Sequence, residues 1–421
     1  MALADIYQKA TLVQIPSGYK AADDKLYSVV PSNGTGDFTV DSDADATRVN
    51  KDGLIESVVA DQARFDYNPT NPQDPTLLLE PTRENIYTYS QDLSQGTTLT
   101  NTSVDNDNTT SPDGSLTGNK LTQTSGAFTR KNLGVVLSGT YAWSFFAKKG
   151  DLRYLNARSL FVLNGTTPAN GNTIIDLNTN TIAYKGTNVT SASIEQYPND
   201  WIKVEIVATD NATSSGDFVD FFFTDSDTST QSTGVAGNGF IWGVQFESGS
   251  YGTSYIPNLS SGSTTRTQDR CINGGDDALF NDSEGVLFAD LEALGEGTTI
   301  RKISLSDGNT DFVNFNFNAT SGRVDFEFGS TLNSFYIVNS TGHTLTNRNK
   351  IAIKYKSGDT DCFINGTRVT GGDGTFSLSG LDRVNFENRA TDGSQNMFAK
   401  IHQLMVFNEA LTDAELTTLT T

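Results

Sequence analysis

The sequence predicts an all-β chain in which an extended N-terminal segment precedes two β-sandwiches. Three observations carry this. Apolar residues fall in runs of strand length, separated by Gly, Asn, Ser, Thr and Asp, which favour turns over helix interiors. Only one stretch, close to the C-terminus, has a helix-start signature. The chain has 421 residues, too many for one ordinary core and enough for two or three domains.

Charge and composition exclude several functions. The formal net charge is -21, and the acid is spread along the chain. Residues 1–80 hold six Lys and Arg against 13 Asp and Glu, residues 81–270 hold 12 against 17, and residues 271–421 hold 11 against 20. No basic face is left for a phosphate backbone, so nucleic acid is not expected as a partner. No apolar run approaches the length of a membrane span, and the first residues have no basic and apolar export signature. Cys271 and Cys362 stand outside any Cys/His cluster, so zinc is not expected; they read as buried free thiols, with a disulfide between them as the alternative that their spacing does not support.

Residues 1–80 contain short strand signals at Thr11-Leu-Val-Gln-Ile15 and Lys25-Leu-Tyr-Ser-Val-Val30, each followed by proline. Asp52-Gly53 between two alternating segments reads as a hairpin turn. Leu77-Leu78-Leu79 reads as a short buried strand, limited by Pro81. The apolar content is too sparse for an independent core, so the segment is expected to be extended and packed on partner chains or another protein.

Residues 81–270 alternate strands and turns as a sandwich or jelly roll does. Tyr141, Trp143 and Phe145 share one strand face, as do Ile202, Val204 and Ile206. The tryptophans Trp143, Trp201 and Trp242 all lie inside strands and are assigned to packing, which leaves sugar contacts to loop Asn, Asp and Tyr. Residues 271–421 read as a second sandwich. Val324, Phe326 and Phe328 alternate cleanly, and Asn365-Gly366 is the strongest hairpin signal in the chain. Thr412 with Glu415 three residues on is a capping box opening a helix.

The series Phe38-Thr39, Ala46-Thr-Arg-Val-Asn50, Gly53-Leu-Ile-Glu56, Ala63-Arg-Phe-Asp-Tyr67 and Leu77 to Asn85 resembles a group of bacteriophage structural proteins. These are tail-fibre or appendage proteins in which this segment precedes lectin-like domains. Val40-Asp41-Ser42 stands where that group commonly has an Arg. Trp242 to Glu247, Gly252 to Pro257 and Thr264 to Asp269 resemble the end of the group's carbohydrate-binding-module-like jelly roll. Lys354 to Val369 and Ile401 to Leu416 resemble a concanavalin A-like, laminin-G-like lectin domain.

The resemblance implies a virion appendage, a tail or head fibre, that binds host-surface glycans during adsorption. Its expected partners are other virion proteins, through residues 1–80, and host polysaccharide, with assembly as a homotrimer. A decoration or adaptor protein of the capsid or tail is the alternative reading, and a glycan depolymerase a third. Both sandwich families often carry structural Ca2+. Glu84, Glu247 and Asp269, at the start and end of the first sandwich, are the residues placed to hold it here.

The residues themselves offer little catalytic machinery. His343 lies in a turn with no nucleophile motif, and His402 shares a predicted strand face with Leu404 and Val406, as a structural histidine does. The chain is therefore read as a binding protein and not an enzyme. Asp220, Asp225 and Asp227 are the ligand candidates. They fit a solvated turn, a calcium- or sugar-contacting loop, or a carboxylate pair for glycoside cleavage.

Overall fold

The computed structural model describes residues 2–16, 25–134, 137–162, 168–210, 217–297, 299–329, 335–369 and 375–421. It is all-β, with β-sandwich layers and, among the described residues, two α-helices, Leu3–Tyr7 and Asp413–Thr420. The first of these helices had no signal in the sequence. The first sandwich is a single ten-stranded sheet wrapped on itself. Its long strand Gly118–Asn132 passes from one layer to the other. Residues 119–123 pair with Gly237–Ser248, and residues 129–132 pair with Phe218–Thr224. Trp143 and Phe221, three strands apart in the sheet order, have ring centroids 4.9 Å apart, so the layers meet face to face. The strand faces expected from alternation line this core, including Trp143, Phe145, Ile202, Val204 and Ile206.

Three strands of this sandwich, Thr98–Thr109, Tyr154–Ser159 and Val189–Gln196, were not legible as apolar runs. The first and last lie at sheet margins and expose alternate polar residues, so they carry no apolar stripe. Elsewhere the expected strands are present with shifted ends. The expected strand over Ser334 to Val338 is seen as Phe335–Thr341, with Ser334 outside the described residues.

Residues 1–80 are not an extended arm. Strands Asn71–Leu79, Phe65–Asn68 and Leu12–Gln14 belong to an eight-stranded sheet otherwise built from residues 284–407. Leu77, Leu78 and Leu79 pair with Ile401, Lys400 and Ala399, and Leu12 pairs with Val406. The apolar mass missing from the segment is supplied by its own chain. Leu12, Leu26, Phe38, Phe65, Leu77 and Leu79 share one core with Leu287, Ile353, Val406 and the five-stranded sheet opposite. Residues 81–270 are thus inserted between two parts of the second sandwich. The chain enters and leaves the insertion through paired strands, Arg83–Asn85 and Thr264–Arg266.

Local turn chemistry agrees with expectation. The hairpin Ala46–Val49 and Ile55–Val58 turns through Gly53 at φ 78°, and Asn365 and Gly366 have φ 50° and 77°. That first hairpin lays Val49 and Ile55 on Phe146, Trp201 and Trp242. Trp201 and Trp242 therefore pack beneath the N-terminal segment, whereas Trp143 packs inside the sandwich. Both cysteines are buried and free. His402 departs from expectation. Ile401 faces Leu291 and Gln403 faces Asp290, so His402 is the extra residue of a bulge. The bulge turns Ile401, Leu404 and Val406 into the core and leaves His402 outside it, half-buried.

The two helices dock on the outer face of the eight-stranded sheet, where Ile6, Leu416 and Leu419 cover Val286, Phe288 and Met405. Thr412 and Glu415 form the expected capping box. The Lys9 ammonium, 2.8 Å from Glu415, is the main influence lowering the Glu415 carboxyl from 4.5 to about 2. A depressed acid pKa stabilises the fold above its ordinary titration range and loses that effect as pH falls through the folded value. Amide protection in Leu3–Tyr7, corrected for intrinsic exchange, should therefore decline as pH drops from 5 towards 2. Unchanged protection factors over that range would rule out this coupling.

Candidate functional site

Two groups of buried charge stand out, and the chemistry of their surroundings separates their roles. The first lies where the insertion meets the rest of the chain. Arg64 donates from Nη1 to Glu80 Oε2 at 2.6 Å and to the Thr47 carbonyl at 3.0 Å, and it also pairs with Asp269. Arg266 pairs with Glu80 as well, and donates from Nη2 to the Pro81 carbonyl at 2.6 Å. Ser254 donates its backbone N–H and its hydroxyl to the two Glu80 oxygens, each at 2.7 Å. All four charged side chains are almost fully buried. Burial alone would raise the Glu80 pKa; the Arg266 and Arg64 guanidiniums outweigh it and hold the carboxyl far below the usual range. The sequence motifs around residues 64, 80, 266 and 269 thus form a fastening between segments.

This arrangement does not gather the residues expected to hold calcium. Asp269 is committed to Arg64 and to the Glu80 N–H at 2.7 Å. Glu247 is fully buried beside this junction, 3.6 Å from Arg83 Nε, and accepts from the Thr253 N–H and hydroxyl, each at 2.8 Å, and from Gln245 at 2.6 Å. Glu84 is exposed in a separate groove with Arg83 and Tyr141. Among the described residues, no group of three or more His, Cys, Asp or Glu side chains is placed to share a metal ion. Spacing along the chain brought the three carboxylates to the same end of the sandwich, but neighbouring donors already occupy two of them.

The second group lies on the outer face of the first sandwich, across strands Gly118–Asn132, Phe218–Thr224 and Tyr154–Ser159. Alternation puts Val219, Phe221 and Phe223 into the core and Phe218, Asp220 and Phe222 on the outer face. Register sets Asp220 directly opposite Arg130 on one side and Arg158 on the other. Arg158 donates from Nε to Oδ1 at 2.9 Å and from Nη2 to Oδ2 at 2.6 Å. Arg130 donates from Nη2 to Oδ2 at 2.7 Å. Asp220 is fully buried, whereas the Arg130 side chain is 31% exposed. Two guanidiniums on one carboxylate leave the cluster with one uncompensated positive charge.

Aromatic rings frame that charge. The Arg130 guanidinium lies 4.8 Å from the Phe128 ring centroid and 5.6 Å from that of Phe218, and both rings are half-buried. Arg158 lies over Phe222 at 5.5 Å. Asn156, on the same face, is fully buried, and neither of its amide atoms has a hydrogen-bond partner among the described residues. Further along the face, Arg153 grips Asp176 with Nη2 at 2.6 Å, and that hydrogen bond is the main cause lowering the Asp176 carboxyl to about 2. Asp225 and Asp227 follow the strand end as exposed loop residues, separate from buried Asp220.

The site therefore retains one of the three candidate aspartates, buried between two arginines and not in a solvated or calcium-contacting loop. Asp220 positions arginines. Phe128, Arg130, Phe218, Arg158 and Asn156 carry no motif that marks them as site residues in the sequence. The available signal was the pair of alternating triplets Phe128-x-Arg130 and Phe218-x-Asp220, whose polar members sit opposite the core. Chemically the accessible part of the face offers two apolar rings and an oriented guanidinium, with the unsatisfied Asn156 amide buried beside them.

No family model and no curated protein matches the chain. Among solved structures, a sialidase carbohydrate-binding module of Ruminococcus gnavus aligns at 15% identity over 34% of this chain and 84% of that one, with a TM-score of 0.29. The NanB sialidase of Streptococcus pneumoniae aligns at 16% identity over 34% of this chain, spanning 25% of its own length, with a TM-score of 0.29. Domains LG4-5 of the mouse laminin alpha1 chain align at 6% identity over 69% of this chain and 92% of that one, with a TM-score of 0.24. Likeness at this level assigns no activity. The β-sandwich assignment rests on the strands, registers and cores described above.

Proposed function

We propose that the chain is a glycan-binding protein displayed on a phage particle, a tail or head fibre that engages host-surface polysaccharide during adsorption. The observation that carries the glycan reading is the Phe128–Arg130–Phe218 face held by Asp220. Half-exposed rings stack on the apolar face of a sugar, and a guanidinium beside them donates to hydroxyl or carboxylate oxygens. The virion assignment is supported by the motif series at residues 38–85. Copies on one particle would raise weak single-site binding through effective concentration. Homotrimeric assembly and attachment to other virion proteins belong to this proposal. They would use surfaces other than the apolar faces of residues 1–80, which are already packed on the same chain. The proposed action is reversible binding without bond cleavage.

A glycan array probed with the full-length chain tests the reading, together with Arg130→Ala and Phe128→Ala. Each substitution should weaken binding about 10-fold or more, because a charge-assisted hydrogen bond and a stacking ring each contribute on the order of 1–2 kcal/mol. The melting temperature should change little, since both side chains are partly exposed and Asp220 keeps both of its hydrogen bonds from Arg158 when Arg130 is removed. Binding that survives both changes would remove this face from the function. Absence of any glycan binding would favour a structural decoration role, and release of reducing sugar would restore the depolymerase.

A further inference from the structure

We infer that the folded chain joins Lys302 to Asn316 through an amide bond between their side chains, with Glu327 moving the proton and the Asn316 nitrogen lost. This is a self-modification of the second sandwich and is independent of the glycan-binding reading. In the five-stranded sheet, strand Phe312–Phe317 is central, between Arg301–Ser306 and Arg323–Gly329. Ile303, Phe315 and Phe326 point into the core, so Lys302, Asn316 and Glu327 project from the opposite face. Lys302 is paired in register with Asn316, and Glu327 with Asn314, the next residue along that face. Side chains directly opposite on neighbouring strands start about 4.5–5.5 Å apart at Cβ, so a lysine is long enough to reach the asparagine amide. The Lys302 ammonium is 2.8 Å from the Glu327 carboxylate. It therefore already leans across the central strand, over the two asparagines.

The surroundings favour reaction over solvation. Asn316 is fully buried, and Lys302 and Glu327 are each no more than 9% exposed, so little water competes for the amine or for the amide carbon. Neither amide atom of Asn316 has a hydrogen-bond partner among the described residues, so no such bond holds it away from the amine. Asp325, paired with Asn316 on its other side, is committed to Arg323 Nε and Asn318 Nδ2, each at 2.6 Å. A buried amide without partners costs stability, and expelling its nitrogen removes two stranded N–H donors. The step balances without an oxidant or cofactor. The Lys302 ammonium passes one proton to Glu327, and the freed amine attacks Asn316 Cγ. A new C–N bond forms and the Cγ–Nδ2 bond breaks. A second amine proton moves to Nδ2, Glu327 returns the first to it, and the nitrogen leaves as ammonium. Glu327 is again a carboxylate, beside the N–H of the new amide. Holding amine, acid and amide on three adjacent strands replaces a collision between separate reactants.

Mass spectrometry of the purified full-length chain, denatured before measurement, tests the bond. The wild-type chain should be lighter by one ammonia than its residues sum to. Chymotrypsin cleavage after Phe312 and Phe315 places Lys302 and Asn316 on separate peptides, which should remain joined. Ammonia lost to a succinimide elsewhere would leave those peptides apart. Lys302→Arg, Glu327→Gln and Asn316→Ala should each restore the full mass, whereas Asn314→Ala should stay lighter. The wild-type measurement does not depend on any variant folding. Full mass in the wild type, peptides recovered apart, or a bond mapped to Asn314 overturns the inference. A bond that forms unchanged in Glu327→Gln overturns the part given to that carboxylate.

Discussion

Deleting residues 1–80 will unfold the C-terminal sandwich. The deletion removes three strands from the eight-stranded sheet and strips the edge of strand Ala399–Phe407 that pairs with Leu77, Leu78 and Leu79. It also removes Leu12, Leu26, Phe38, Val40, Phe65, Leu77 and Leu79 from the core, each no more than 3% exposed. At about 1.5–3 kcal/mol for each buried side chain, the loss is on the order of 10–20 kcal/mol. Whole domains are stable by only about 5–15 kcal/mol. Residues 271–421 expressed alone should be aggregated or protease-sensitive, without a cooperative thermal transition. A cooperative transition at the temperature of the full-length chain would show that the sheet does not need the N-terminal strands. A fragment joining residues 1–80 to 271–421 through a short linker should instead fold, because strands Arg83–Asn85 and Thr264–Arg266 are adjacent where the insertion begins and ends.

The second large effect is expected at the buried ion cluster. Arg64→Ala leaves Asp269 without its guanidinium and Glu80 with Arg266 alone. Removing one partner of a buried network costs about 3–5 kcal/mol, since the remaining charge is neither solvated nor paired. Chemical denaturation of the full-length chain at pH 7 should show a loss of that size. Glu80→Gln should do likewise, with a pH signature. The Glu80 pKa is depressed in the folded chain, so its contribution is complete above the ordinary carboxylate value of 4.5. That contribution shrinks as pH falls below 4.5 towards the folded value. The gap between wild type and Glu80→Gln should therefore narrow in acid. A gap that stays constant from pH 7 to pH 3 would mean the carboxylate charge is not what stabilises the junction. Replacing Arg64, Glu80 and Asp269 together by apolar residues of similar volume should cost less than Arg64→Ala, because no charge is then stranded.

The two expectations depend on one feature, the threading of the second sandwich through both ends of the chain. It also alters how the conspicuous motifs are understood. Arg64, Glu80, Arg266 and Asp269 lie in the stretches that resemble phage appendage proteins, and their partners here are one another. Those motifs report how the segments are joined. The candidate binding face uses residues outside them.

What could be read from residues alone was whatever depends on near neighbours in the chain. The chain turns at Gly53 and at Asn365-Gly366 because the backbone needs positive φ at positions these residues tolerate. Thr412 caps its helix through a residue three positions away. Alternation in Tyr141 to Phe145 and in Val324 to Phe328 separates an inner from an outer face whatever lies opposite. Only the tertiary structure decided which distant surface each apolar face meets, and which charge faces which. Leu77 to Leu79 read as buried, but their partner strand lies more than 300 residues further on. Asp220 read as one more acid near a turn until two strands distant in sequence set Arg130 and Arg158 on either side of it. The bulge at His402 reversed a face because one inserted residue shifts every later side chain to the opposite side. Hydrophobic burial and ion pairing act through space and carry no sequence distance of their own, whereas φ preferences and caps act within a few residues.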